Sequence, residues 1–287
     1  MGRRQLVAIA ALVAAFLFLY RDVIVWLVDD WDLNGNYSHG YLVAPIALYL
    51  VWERRDRLKQ TEIRPSPWGL VALIGCVLML MAGTIAAETF SARVSLVGTI
   101  VAAIWFVAGA GFLRVLWFPL AFLLLMIPIP AIIFNRIAFP LQLIASEFGE
   151  RTLALANVPV FREGNLIVLE NMSLDVAEAC SGIRSLVSLF TLSVLYGYFT
   201  TTSVKVRVLL AAATVPIAIV ANGLRVAGTG LGAHVWGPKA AEGFFHEASG
   251  WAVFVVAALA LGAVRFVATA AGRLFRDGTL RPTGDLA

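Results

Sequence analysis

Residues 67–87 read PWGLVALIGCVLMLMAGTIAA, a run without one charged side chain. Coiled as a helix, a run of about 20 residues spans the hydrocarbon core of a bilayer, about 30 Å. Working outward from it, comparable runs recur at roughly 5–20, 38–53, 93–110, 113–134, 182–199, 207–224 and 249–271. The pattern predicts about eight transmembrane helices. The stretch 38–53 is the least regular of them. Its apolar core, Tyr41 to Trp52, reaches across only with the help of Tyr37–Gly40 and the snorkelling side chains of Arg54 and Arg55.

The whole composition agrees. Of 287 residues, 60% are hydrophobic and 14% charged, against about half and a quarter in an average soluble domain. The mean hydropathy is +0.86. These values exclude an ordinary cytosolic enzyme and a disordered chain. Two cysteines, Cys76 and Cys180, are too few for a disulfide framework. A transmembrane barrel would show alternating segments of about ten residues instead. The fold class expected is an all-α polytopic membrane protein with a small hairpin element on its outer face. Gly2-Arg3-Arg4 before Leu6–Tyr20 has the look of a signal peptide without a small-x-small cleavage site, so it reads as an uncleaved first helix. The expected domain covers residues 1–275, followed by a disordered cytoplasmic tail, 276–287.

Orientation follows from the loops. With the N-terminus inside, 14 of the 22 Lys and Arg residues and 5 of the 18 Asp and Glu residues fall at the inner side. The inner side then carries +9 and the outer side −5. The Lys/Arg bias is the positive-inside pattern and predicts that both termini are cytoplasmic.

The longest loop, about 135–181, is then outside. Its first half is amphipathic, with Ile137, Leu141, Ile144, Phe148 and Leu155 at helical spacing among Arg136, Gln142, Glu147, Glu150 and Arg151. That spacing predicts a helix lying along the membrane surface. Short β-like pieces follow, Val158–Phe161, Asn165–Leu169 and Ser173–Val176, separated by Glu163-Gly164-Asn165 and Glu170-Asn171.

Polar groups at membrane depth are costly and each needs a reason. Three fall at outer ends of different spans. Cys180 stands where the outer loop enters the sixth span, Arg225 where the seventh emerges, and His246 just before the eighth. Thiol, guanidinium and imidazole form a usable set. A thiolate is a nucleophile whose pKa a nearby cation lowers. A histidine moves a proton from the thiol to a leaving amine. An arginine stabilises a thiolate or an oxyanion. Taken singly, each residue has a plainer reading: a cysteine as a small buried hydrophobe, as at Cys76, and an arginine as a headgroup anchor. Arg184 lies one turn after Cys180 and offers to activate the thiol or hold a substrate carboxylate, or else to pair with Glu178 or Asp175. His39 stands at the outer mouth of the second span as a further site candidate. His234 lies among glycines in the last outer loop, without an evident partner. No phosphate loop, zinc spacing or dinucleotide fingerprint occurs, so no cofactor or metal is expected. The basic inner loops suit lipid headgroups rather than nucleic acid.

At these residues the sequence resembles a known family. Tyr37-Ser38-His39-Gly40-Tyr41-Leu42-Val43 with Trp52-Glu53-Arg54-Arg55, Arg162-Glu163-Gly164-Asn165, Ala177-Glu178-Ala179-Cys180-Ser181-Gly182-Ile183-Arg184, Pro216 with Ala221-Asn222-Gly223-Leu224-Arg225, and His246 with Gly250-Trp251 together resemble the exosortases. The wording is nearest the proteobacterial exosortase A type, associated with exopolysaccharide gene clusters. The resemblance implies a bacterial inner-membrane cysteine transpeptidase that acts on PEP-CTERM proteins, whose C-terminus carries a Pro-Glu-Pro motif, one membrane helix and a basic tail. It maps the family's Cys, Arg and His onto Cys180, Arg225 and His246, with Arg184 and His39 as substrate-binding candidates. One departure is that Phe245, not an acidic residue, directly precedes His246, and Glu247 follows it. Two other classes stay open on the residues: a serine-type protease using Ser181 or Ser185 with His246, and a transporter or lipid-handling protein with Arg184 and Arg225 along a polar path. Paired broken helices in two related halves, the mark of many transporters, are not evident.

Overall fold

The computed structural model describes residues 3–170, 172–176, 182–237 and 243–278. They are mostly helical and fall into two compact units, Met1–Ala131 and Ile132–Ala287.

The first unit holds α1 (Arg3–Leu19), α2 (Arg21–Leu33), α3 (Gly40–Glu53), α4 (Arg55–Gln60), α5 (Pro67–Ile85), α6 (Thr89–Ala108) and α7 (Ala110–Phe122), the last followed by a 3₁₀ turn, Leu123–Met126. Helices α5 and α6 form its tightest pair. A β-carbon at Gly69 would come within 2.3 Å of the Phe106 backbone nitrogen, and one at Gly98 within 2.8 Å of the Cys76 sulfur. Small residues thus let the helices approach, as in membrane bundles generally. Cys76 fills that contact as a small hydrophobe, in line with its mid-span setting. Glu88 starts α6 as an N-cap, its carboxylate accepting from the Phe90 and Ser91 amides.

The second unit holds α8 (Ala131–Leu155, whose first residue is assigned to the first unit), β1 (Val160–Glu163), β2 (Leu166–Leu169), β3 (Ser173–Asp175), α9 (Gly182–Thr200), α10 (Val204–Trp236) and α11 (Gly243–Gly278). The strands form one antiparallel sheet in the order β1-β2-β3. Burial alternates along β2, and Ile167 and Leu169 turn inward to pack with Leu174, Val176, Ala145, Leu153, Val226 and Ala233. The turn between β1 and β2 needs Gly164, whose φ is +63°. Arg162 ties the sheet to α8 through Glu150, 2.7 Å away, and Asn165 donates to Asp175 at 3.0 Å. The Arg-Glu-Gly-Asn motif is therefore the turn itself and the pins that hold it.

Several sequence expectations need correction. Five helices among the described residues have the length and composition to cross a membrane: Pro67–Ile85, Thr89–Ala108, Ala131–Leu155, Val204–Trp236 and Ala248–Ala270. A sixth arises if Ala10–Leu19 and Arg21–Leu33, bent by 64° at their junction, act as one span. The expected spans at 38–53 and 113–134 are shorter apolar helices, Gly40–Glu53 and Ala110–Met126. Among the described residues the count of eight is thus not confirmed. The start of the expected outer loop is one helix, Ala131–Leu155, which has the length and composition of a span where a surface-lying helix was expected.

The seventh span also runs on. Helix α10 continues through Arg225 to Trp236, so His234 lies in its last turn and not in a loop. Among the glycines after Arg225, which read as helix breakers, Gly230 serves packing, as does Gly223 before the arginine. A β-carbon at Gly230 would meet Leu153 at 2.8 Å and one at Gly223 would meet Phe148 at 2.4 Å. Helix α11 likewise begins earlier than expected and extends to Gly278, and residues 279–287 of the expected tail lie outside the described residues.

Candidate active site

Arg225 is the best-defined of the candidate residues. Half-buried on α10, it donates from Nε to the Ser249 hydroxyl of α11 at 3.4 Å. Its guanidinium lies over Gly250, where a β-carbon would stand 3.3 Å from Nη2 and 3.5 Å from Cζ. The glycine is what lets the flat cation rest on the helix backbone. His246 sits in the first turn of the same α11, one turn before Ser249. Its backbone is thus on the helix that seats the arginine, while its side chain lies outside the described residues.

The start of helix α9 stands at this level. The helix packs against α10 and α11 through Leu189, Leu210, Ala218, Ala221, Ala257 and Leu261. Leu186 shares a narrow cleft with Ala218 and Asn222. The start of α9 at Gly182 precedes Leu186 by one turn, and Arg225 follows Asn222 by one turn on the antiparallel α10, so the two points are level. Cys180 precedes that start by two residues and itself lies outside the described residues, as does Ser181. Arg184 is exposed in the first turn of α9.

The opposite ends of these helices are fastened by two more arginines. Arg207 donates from Nε to the carbonyls of Thr201 at 2.9 Å and Gly197 at 3.2 Å, and its guanidinium lies 5.2 Å from the Tyr198 ring centre. Arg265 donates to the Thr200 carbonyl at 3.0 Å and lies 5.7 Å from the Tyr196 ring centre. Cations at a helix C-terminus satisfy its open carbonyls and oppose its dipole.

His39 belongs to the first unit. Its Nε2 donates to the Leu125 carbonyl at 3.1 Å. Trp31 donates to the Met126 carbonyl at 3.0 Å, and the Tyr37 hydroxyl accepts from the Ile129 amide at 3.2 Å. Gly40 leaves room for the Trp31 indole, which a β-carbon there would meet at 2.2 Å. The Tyr-Ser-His-Gly motif therefore fastens the start of α3 to the 3₁₀ turn and the segment after it. His234 shares no role with these groups beyond closing α10.

Ser249 is the site residue that sequence reasoning passes over. A single serine beside a span carries no signal alone, and only its spacing of one turn from His246 would have marked it. Among the described residues no group of His, Cys, Asp and Glu is arranged to hold a metal ion.

Comparison with known proteins adds one match. No curated protein and no solved structure matches the chain. A family model described as transmembrane exosortase matches residues 31–263, without distinguishing the exosortase A type. That range takes in every motif quoted above, and the chain belongs to the transmembrane exosortase family.

Proposed function

We propose that the chain is a cysteine transpeptidase of the inner membrane that cleaves C-terminal PEP-CTERM sorting signals on the periplasmic side. One observation above all supports this: the Arg225 guanidinium is seated on Ser249 and Gly250, one turn after His246, level with a helix that begins two residues after Cys180. The positive-inside charge pattern supports the orientation, with both termini cytoplasmic.

In the proposed reaction His246 takes the Cys180 thiol proton, and the positive end of α9 with nearby guanidinium favours the thiolate. The thiolate attacks the scissile carbonyl, and Arg225 holds the oxyanion. The C–N bond breaks as His246 returns the proton to the leaving amine, which departs with the substrate's membrane helix. The remaining thioester passes its acyl group to an acceptor amine, or to water. Exposed Arg184 is positioned in sequence to meet the carboxylate of the Pro-Glu-Pro segment. His39 is a second substrate contact in this reading, beside its bond to Leu125. The partners are PEP-CTERM proteins destined for a surface coupled to exopolysaccharide export, together with membrane lipids. No nucleic acid is involved.

The test is a trapped intermediate. Purified protein mixed with a PEP-CTERM substrate and quenched in acid should carry a hydroxylamine-labile acyl adduct on the Cys180 peptide, absent from Cys180→Ala. Cleavage that persists in Cys180→Ala and stops with a fluorophosphonate would instead favour the serine-type alternative.

A further inference from the structure

In the first unit, the end of α3, helix α4 and the starts of α5 and α7 share one ordered surface. Segment 61–66 lies along the end of α6: the Arg64 amide donates to the Ala108 carbonyl at 3.1 Å and the Ser66 amide to the Phe106 carbonyl at 3.3 Å. Gly111 of α7 faces Thr61, just past α4, since a β-carbon there would stand 3.1 Å from the Thr61 methyl. Arg114 follows about one turn further along α7.

Six cations and three acids gather here. Each acid takes one cation: Asp56 holds Lys59 at 3.2 Å, Glu62 holds Arg64 at 2.7 Å and Glu53 stands 3.9 Å from Arg54. Arg55, Arg57 and Arg114 remain, all exposed and without an acidic partner among the described residues. Arg55 is ordered in advance: its guanidinium lies 4.2 Å from the Trp52 ring centre, and Nη1 donates to the Trp52 carbonyl at 3.3 Å.

A second observation says what covers these charges. Three exposed tryptophans frame the same surface: Trp52 in the last turn of α3, Trp68 at the start of α5 and Trp117 one turn after Arg114 on α7. An indole, apolar at its ring and polar at its N–H, is at home at the headgroup level of a bilayer. The rings therefore set the depth of the surface, and the unmatched guanidiniums set the charge of its occupant. At that depth the occupant is the membrane's own headgroups, not an acidic protein or nucleic acid arriving from water.

We propose that this surface docks anionic phospholipids, with Arg55, Arg57 and Arg114 holding the headgroups and the three tryptophans lying beside the glycerol backbone. The inference is independent of the reaction proposed above. It also gives a reason for the length of α3. Its 14 residues span about 21 Å, short of a hydrocarbon core of about 30 Å. Headgroups drawn to Arg55 and Arg57 bring the polar boundary to the helix end.

The experiment titrates the full-length protein in detergent with phosphatidylglycerol or phosphatidylcholine of the same acyl chains and counts bound lipids by native mass spectrometry. Phosphatidylglycerol should bind at least about tenfold more tightly, since each cation at a membrane surface contributes about fivefold. Arg55→Gln/Arg57→Gln/Arg114→Gln should bring the two lipids within about twofold of each other. Arg57→Gln alone should weaken phosphatidylglycerol about fivefold and serves if the triple variant does not accumulate. Asp56→Asn/Lys59→Gln removes a matched pair at no change in net charge and should keep the native preference. Phosphatidylglycerol with a photoreactive headgroup should crosslink to residues 49–57 and 114–117. Equal binding of both lipids by the native chain, or a native preference in the triple variant, would overturn the proposal. Displacement of the lipid by free glycerol 3-phosphate would also overturn it, giving the guanidiniums to a soluble phosphate.

Discussion

The two ends of the α9–α11 bundle use the same residue differently. At one end Arg207 and Arg265 spend their donors on backbone carbonyls that close α9 and lie beside tyrosine rings. At the other, Arg225 crosses to a serine hydroxyl and rests its flat face on a glycine. The first arrangement consumes the guanidinium in holding helices together. The second sets it across to the neighbouring helix with no side chain beneath it. An arginine at a span end is therefore not one kind of residue, and what separates the kinds is the partner: carbonyl and ring on one side, hydroxyl and bare backbone on the other.

Substitutions should separate the two ends. The largest effect is expected at Arg225. Arg225→Lys keeps the charge and loses the planar fork, so cleavage of a PEP-CTERM substrate should fall about 100-fold at matched protein level. Cleavage at the native rate would make Arg225 an anchor like the other two. Next, Gly250→Ala places a methyl 3.3 Å from Nη2 and should lower kcat about tenfold through a displaced guanidinium, a shift of about 1.4 kcal/mol. Its melting temperature should stay close to native, since the helix gains a better former. A native kcat would show that the guanidinium has room to spare.

Arg207→Gln should reverse that pattern. Loss of the carbonyl contacts should cost about 1–3 kcal/mol of stability, visible as a lower melting temperature in detergent. Activity per folded molecule should change less than twofold. A large drop in kcat with unchanged melting would break the division between the two ends. The smallest effect belongs outside this bundle, at Glu88. Hydrogen bonds from Ser91 hold its carboxyl below the usual carboxylate range. A depressed pKa contributes stability above the unfolded value and loses it as pH falls through the folded one. The melting temperature should therefore drop slightly more on acidification below about pH 4.5 in the native chain than in Glu88→Gln. Identical acid profiles would show that the cap contributes nothing measurable.

Much of this was legible in the residues, for identifiable reasons. The uncharged run at 67–87 becomes Pro67–Ile85 almost residue for residue, because bilayer length and composition are read directly from sequence. The hairpin also followed from local chemistry, since Gly164 and the alternation at 166–169 are short-range signals. The helices α8 and α10 were misjudged where tertiary contacts decide. Gly230 looks like a break but is the place where Leu153 enters. In the site, charge and span ends pointed to Arg225, whereas Ser249 and the Gly250 seat appear only when helices are set side by side. The bonds of His39 to Leu125 and of Trp31 to Met126 were invisible for the same reason, being between residues about 90 apart.

Helix α10 runs unbroken through Arg225 from Val204 to Trp236, about 50 Å at 1.5 Å per residue. A rod of that kind keeps angular time. Every residue advances the side-chain direction by about 100°, so the half that packs on α9 and the half that packs on the sheet are locked in phase with Arg225 between them. A single residue inserted before Arg225 would turn the guanidinium about 100° away from Ser249, or else twist Gly230 off Leu153. Insertions of three or four residues nearly restore the phase but lift the arginine by about one turn. Both the aim and the height of the guanidinium are thus written into one number, the residue count from Val204, and relatives of this chain should vary the sequence of that stretch far more freely than its length.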